Sequence, residues 1–198
     1  ENKYFLYTIT LGISIFSNYY ISIMICIYLI AYFAYRMLTT DKEYNKKFIL
    51  TRIWTFTKGS LIAGGLGACM FLPEIAALSY TVSGEFNFPE QWSNYFSILD
   101  MLSRSLMNVE VSIFNAHEPN LYCTVAVFMF VPLYFFCPKI NKKEKVGNAV
   151  LIFFFLTCFN MNIPNYIFHG FHFPNSLPAR ESFIYIFLLI TIVYQTLI

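Results

Sequence analysis

Charges in this chain are confined to linkers between long uncharged runs, and that placement limits what it can fold into. No Asp, Glu, Lys or Arg occurs in residues 4–35, 59–72, 121–138, 146–179 or 182–198. Uncharged runs near 20 residues are read as helices crossing the hydrocarbon core of a bilayer. The linkers then separate by sign. One set carries Arg36, Lys42, Lys46, Lys47, Arg52, Lys58, Lys139, Lys142, Lys143 and Lys145. The other carries Glu74, Glu85, Glu90, Asp100, Glu110, Glu118 and Glu181, with Arg104 and Arg180 as its bases. Short loops rich in Lys and Arg face the cytoplasm. The alternation predicts an all-α, polytopic transmembrane helical bundle in a plasma membrane. Loops 39–58 and 139–145 are expected inside, and loops 79–120 and 161–182 outside.

Only 12% of the residues are charged, against about 25% in a soluble domain. No basic tract with interleaved aromatics marks a nucleic-acid site. Cys26, Cys69, Cys123, Cys137 and Cys158 lie within or beside apolar runs. Their spacing fits no metal motif, so they read as small packing residues. The chain starts at Glu1 and ends at Ile198 inside an apolar run, and it reads as an internal piece of a larger membrane protein.

The run 4–35 is too long for one perpendicular span of about 30 Å. A break at Ser17, Asn18, Tyr19 and Tyr20 gives a short segment 4–16 and a span 19–38. Residues 49–58, with Arg52, Trp54 and Lys58 among apolar neighbours, suit a helix lying at the inner interface. Further spans are expected at 59–78, 121–138, 146–160 and 183–198. Gly59, Gly64, Gly65, Gly67 and Ala68 are small enough to let helices approach closely. In the long outer loop, Phe96, Leu99, Leu102 and Leu106 recur at helical spacing, which predicts an amphipathic surface helix over 95–107. Asp100 and Arg104 stand four apart, as a surface ion pair would.

The outer segment 161–182 concentrates the polar chemistry. It holds Asn165, His169, His172, Asn175 and Arg180 among the prolines Pro164, Pro174 and Pro178. Polar groups at membrane depth are costly unless used or paired. Arg180 carries a planar fork suited to phosphate. Each also has a plainer reading. Arg180 pairs with Glu181 or with lipid headgroups, the histidines are structural, and Asn165 and Asn175 cap helices or turns. His169 and His172, three apart, are weak grounds for a metal. Asp100, Glu110 and Glu118 are the outer carboxylates available as a general base, with His117 between the last two, but no spacing pairs them.

Three blocks resemble the bacterial YfhO-type membrane proteins. They are Ser17-Asn18-Tyr19-Tyr20-Ile21-Ser22-Ile23-Met24; Gly64-Gly65-Leu66-Gly67-Ala68-Cys69-Met70-Phe71-Leu72-Pro73 followed by Asp100-Met101-Leu102-Ser103-Arg104; and His169-Gly170-Phe171-His172-Phe173-Pro174-Asn175 with Pro178, Arg180 and Phe183. The resemblance implies a glycosyltransferase of the GT-C type with its active site at the outer face. Such an enzyme takes sugar from a polyprenyl-phosphate donor. It passes the sugar to a cell-envelope acceptor such as a teichoic-acid-type polymer. The resemblance assigns no catalytic carboxylate to this chain. A divalent metal is compatible with the chemistry, but no residue set establishes one. Two other classes fit the spans: a transporter or flippase of a lipid-linked substrate, and a non-catalytic assembly subunit. Polar residues gathered outside, rather than at mid-span, favour the enzyme over transport.

Overall fold

Asn18 divides the first apolar run. In this computed structural model, which describes residues 2–40, 45–81, 88–111, 117–173 and 177–198, α1 spans Asn2–Ser17 and α2 spans Tyr19–Thr39. Asn18 is extended, and its Oδ1 accepts the Ile21 N–H at 3.0 Å, capping α2. The side chain meets an N–H that the new helix leaves unpaired. A Ser14–Ser22 hydroxyl contact at 2.8 Å bridges the turn.

α3 runs unbroken over Lys46–Leu78, capped by Asn45. The separate interfacial helix expected at 49–58 does not form. Residues 49–58 contain no Gly or Pro to end a helix, so they join the next segment in one rod of 33 residues, about 50 Å long. The remaining elements are α4 (Ile98–Ser103), α5 (Val125–Phe136), α6 (Lys142–Asn160), α7 (Asn162–Phe168) and α8 (Ser182–Leu197). The surface helix expected over 95–107 shrinks to the six residues of α4. The expected span 121–138 is helical only in α5, and α7 adds a helix to a segment read as loop. Among the described residues no strand forms, and one isolated antiparallel bridge joins Asn94 to Met161. α2 and α3 are long and apolar enough to cross a membrane; α5 and α8 are shorter apolar helices.

The chain divides into two compact units. The first is Glu1–Cys26 with Thr40–Phe86, and the second is Ile27–Thr39 with Asn87–Ile198. In the first unit α1 and α3 run parallel along a seam of small residues. A Cβ on Gly59 would meet Tyr4, Tyr7 and Thr8, one on Gly12 would meet Leu66, and one on Gly67 would collide with Ile15. Ala63 is fully buried between them. Gly64 and Gly65, also expected to serve close packing, face open space. The repeat of four from Gly59 through Ala63 to Gly67 selects one helix face, and the other two glycines fall off it. Tyr7 adds a 2.7 Å hydroxyl contact to Ser60 and stacks on Phe56.

The second unit packs around aromatic rings. Phe155, Phe159 and Phe168 are buried, and Tyr185 on α8 meets Phe159 edge-on at 5.5 Å. On α6, the buried Asn148 donates to the Tyr134 hydroxyl at 2.6 Å. This core holds the α6–α7 junction and the start of α8, where the polar chemistry collects.

Candidate functional site

Two amides secure residues 91–96 to the α6–α7 junction. Asn160 accepts the Phe96 N–H on its side chain at 3.1 Å and the Tyr95 N–H on its carbonyl at 2.9 Å. Asn162 accepts the Ser93 N–H on Oδ1 at 3.0 Å and donates from Nδ2 to the Gln91 carbonyl at 2.8 Å. Both asparagines are buried. A strand-like strap over 91–96 thus gains partners for its backbone that a loop otherwise finds in water.

α7 then delivers His169. Its Nδ1 lies 2.9 Å from the Asn165 carbonyl, which can only accept, so Nδ1 carries the proton. Nε2 is left facing Glu181 Oε2 at 3.5 Å, with neither side chain exposed at all. Among the described residues neither Glu181 oxygen accepts a hydrogen bond. Burial pushes the Glu181 carboxyl well above the usual carboxylate range. Burial pushes His169 down; the Asn165 carbonyl opposes this, and positive charge at His172, Arg180 and His117 adds to it. A buried charge is costly, so the pair is held neutral. Those same three residues lie within electrostatic reach of His169. His117 stacks on Tyr95 with ring centroids 3.8 Å apart, and burial lowers its pKa too.

Arg180 is partly exposed, and its Nε donates to the Leu177 carbonyl at 3.3 Å. The backbone around it is unusual. Phe171, Leu177 and Ala179 have φ of 64°, 52° and 51°. A left-handed conformation at non-glycine residues costs energy that the surroundings must supply.

A model of the family described as bacterial membrane protein YfhO matches residues 1–198. The chain belongs to the YfhO family of bacterial membrane proteins. No curated protein and no solved structure matches it significantly.

Within this YfhO chain, the residues singled out in the sequence fall into three groups. Asn165, His169, His172 and Arg180 come together around α7 and the start of α8. Asn175 lies outside the described residues. Asp100, Glu110 and Glu118 sit between α3 and α5, apart from the first group in the chain. Asn165 is not a cap: it lies inside α7, and its Nδ2 donates to the Cys158 carbonyl at 3.3 Å. The surface pair of Asp100 with Arg104 gives way to other partners. Asp100 forms a capping box with Ser97, whose hydroxyl lies 2.7 Å from its Oδ2. Arg104 reaches Glu118 at 3.3 Å, the Pro119 carbonyl at 3.2 Å and Asn120 at 3.0 Å. Glu110 is exposed.

Glu181 is the residue that sequence reasoning passed over in the YfhO chain. The sequence groups it with the other outer acids and offers Arg180 as its partner, yet its side chain turns inward to His169. The signal was its position as the sole carboxylic acid in residues 146–198. Among the described residues no three His, Cys, Asp or Glu side chains gather as a metal site.

Proposed function

We propose that this chain acts as a membrane glycosyltransferase of the GT-C type. It moves sugar from a polyprenyl-phosphate donor to an extracytoplasmic cell-envelope acceptor, such as a teichoic-acid-type polymer. Its helices form a polytopic bundle in the bacterial plasma membrane, with the basic linkers inside. The parallel run of α1 and α3, with Lys3 and the basic start of α3 at the same end, supports that sidedness.

The observation that carries the reading is Arg180, held by the Leu177 carbonyl directly before Glu181 of the buried His169–Glu181 pair, with the charges of Arg180 and His172 bearing on His169. A lipid-linked donor presents its phosphate at the membrane surface, and transfer leaves negative charge on that phosphate. Fixed positive charge placed where the charge develops lowers the barrier. Arg180 supplies it. A neutral pair beneath leaves the Arg180 charge undiluted, whereas an ionised Glu181 would cancel it. The strained turns at Leu177 and Ala179 hold the guanidinium in place before substrate arrives. The acceptor hydroxyl needs a base, and carboxamide replacement of Asp100, Glu110 and Glu118 in turn tests whether one of these provides it.

The test is sugar transfer by the complete protein in lipid vesicles from a polyprenyl-phosphate-sugar donor, compared with Arg180→Ala and His169→Ala. Transfer by the wild type that both folded variants lose supports the site. Transfer that both variants retain removes the site and leaves the activity. Movement of the donor across the bilayer without transfer replaces the enzyme with a flippase.

A further inference from the structure

The second unit has a groove of about 570 Å³ between α2 and α6, at the end of α6 opposite the His169–Glu181 pair. Ligand pockets fall in the range of about 300–1,000 Å³. The groove exists because of three small residues. A side chain at Gly147 would run into the Tyr35 ring, so that ring packs directly on α6 there and forms a floor. Ala31 and Ala34 are too short to fill the space above it, and Val150 and Phe154 make the facing wall. Lys142 and Lys143, exposed on the first turn of α6, close one end. Glu144 is the acid of that turn, beside Lys142, Lys143 and Lys145, and it does not line the groove.

We propose that this groove binds an anionic phospholipid of the cytoplasmic leaflet, with one acyl chain between α2 and α6 and the headgroup phosphate on Lys142 and Lys143. The dimensions fit. From Lys142 to Phe154 the groove follows α6 for about 18 Å, close to the half-thickness of a hydrocarbon core of about 30 Å. A headgroup at the lysines therefore puts the chain end near the bilayer centre. The charge fits as well, because basic residues at the cytoplasmic surface attract anionic lipid. A zwitterionic headgroup would set its own cation against the lysines. The apolar walls suit an acyl chain and would strand the backbone of an extended peptide. The leaflet follows from the positive-inside rule; the site is independent of glycosyl transfer.

The test uses the complete protein, extracted in mild detergent, stripped of lipid and returned to vesicles of phosphatidylglycerol mixed equally with phosphatidylcholine. After re-extraction, native mass spectrometry counts the lipid retained per protein. The expected result is one phosphatidylglycerol in preference to phosphatidylcholine. Lys142→Gln with Lys143→Gln, on an exposed turn, should lower that preference about thirtyfold. Ala34→Phe, which fills the groove, should lower retention of both lipids. Thermal unfolding midpoints close to wild type show that the variants are folded. Equal retention of the two lipids by the wild type overturns the proposal, as does unchanged preference in the double lysine variant.

Discussion

His169 Nε2 and Glu181 Oε2 face each other at 3.5 Å, and both side chains are fully enclosed. The pair links the end of α7 to the start of α8 through groups that each lose their charge on burial. That exchange has a measurable consequence for stability.

Burial moves Glu181 from an ordinary 4.5 up to about 8, and His169 from 6.5 down to about 4. The folded pair therefore holds one proton between about pH 4 and 8. The unfolded groups hold two protons below 4.5, one between 4.5 and 6.5, and none above 6.5. Stability from the pair is level between 4.5 and 6.5, where the proton counts match. It falls as pH rises from 6.5 to 8, by about 1.4 kcal/mol per pH unit, because only the folded state keeps the proton. Between 4.5 and about 4 it falls again, because the unfolded state gains its second proton before the folded pair does. Glu181→Gln should remove the alkaline loss and start the acid loss near 6.5. Thermal unfolding of both proteins across pH 4–9 reads the difference; parallel profiles would exclude the neutral pair.

Asn162→Ala should release the strap over 91–96. It strips a partner from the Ser93 N–H and from the Gln91 carbonyl. The expected cost is about 1–3 kcal/mol. Hydrogen exchange should accelerate at 91–96 while α1 and α3 keep their protection; unchanged exchange there would contradict the anchoring.

Gly67→Ala and Gly64→Ala should have opposite effects. At Gly67 the new methyl meets Ile15, and overpacking of this kind costs about 1–3 kcal/mol. Gly64 has open space, so alanine should stabilise the helix by about 0.5–1 kcal/mol. Denaturation of the two variants side by side gives the comparison, and equal shifts would dissolve the seam.

Arg180→Ala should lower sugar transfer by about 10²–10³, in the range seen when one transition-state donor is removed. Arg180→Lys should recover only part of the rate, because a point charge does not reproduce the planar fork. Full recovery by lysine would reduce the role to charge alone.

The helices were largely legible from the chain because uncharged runs and caps act locally. Asn18 ended α1 where the polar break in residues 17–20 placed it. The joining of 49–58 to the next helix was not legible, since charge pattern marks where solvent begins and says nothing of where a backbone bends. The polar cluster of 161–182 was visible as a concentration of unusual residues. Its internal pairing was not: Glu181 lies twelve positions beyond His169, and adjacency to Arg180 pointed to the wrong partner. Likewise Arg104 chose Glu118, fourteen residues away, over Asp100 on its own turn. Asn160 and Asn162 gave no warning, because an amide at the end of an apolar run looks the same whether it caps a helix or holds a strap.

The contacts of residues 91–104 are thereby of two kinds that answer to different surroundings. Glu118 is half-exposed where it meets Arg104, so rising ionic strength weakens their attraction. The Asn160 and Asn162 amides carry no charge and are shut away from solvent, so neither added salt nor a shift in acidity loosens them. Brine would slacken the tie between Arg104 and Glu118 and leave the tie to the α6–α7 junction fast, like a flap whose hinge outlasts its latch.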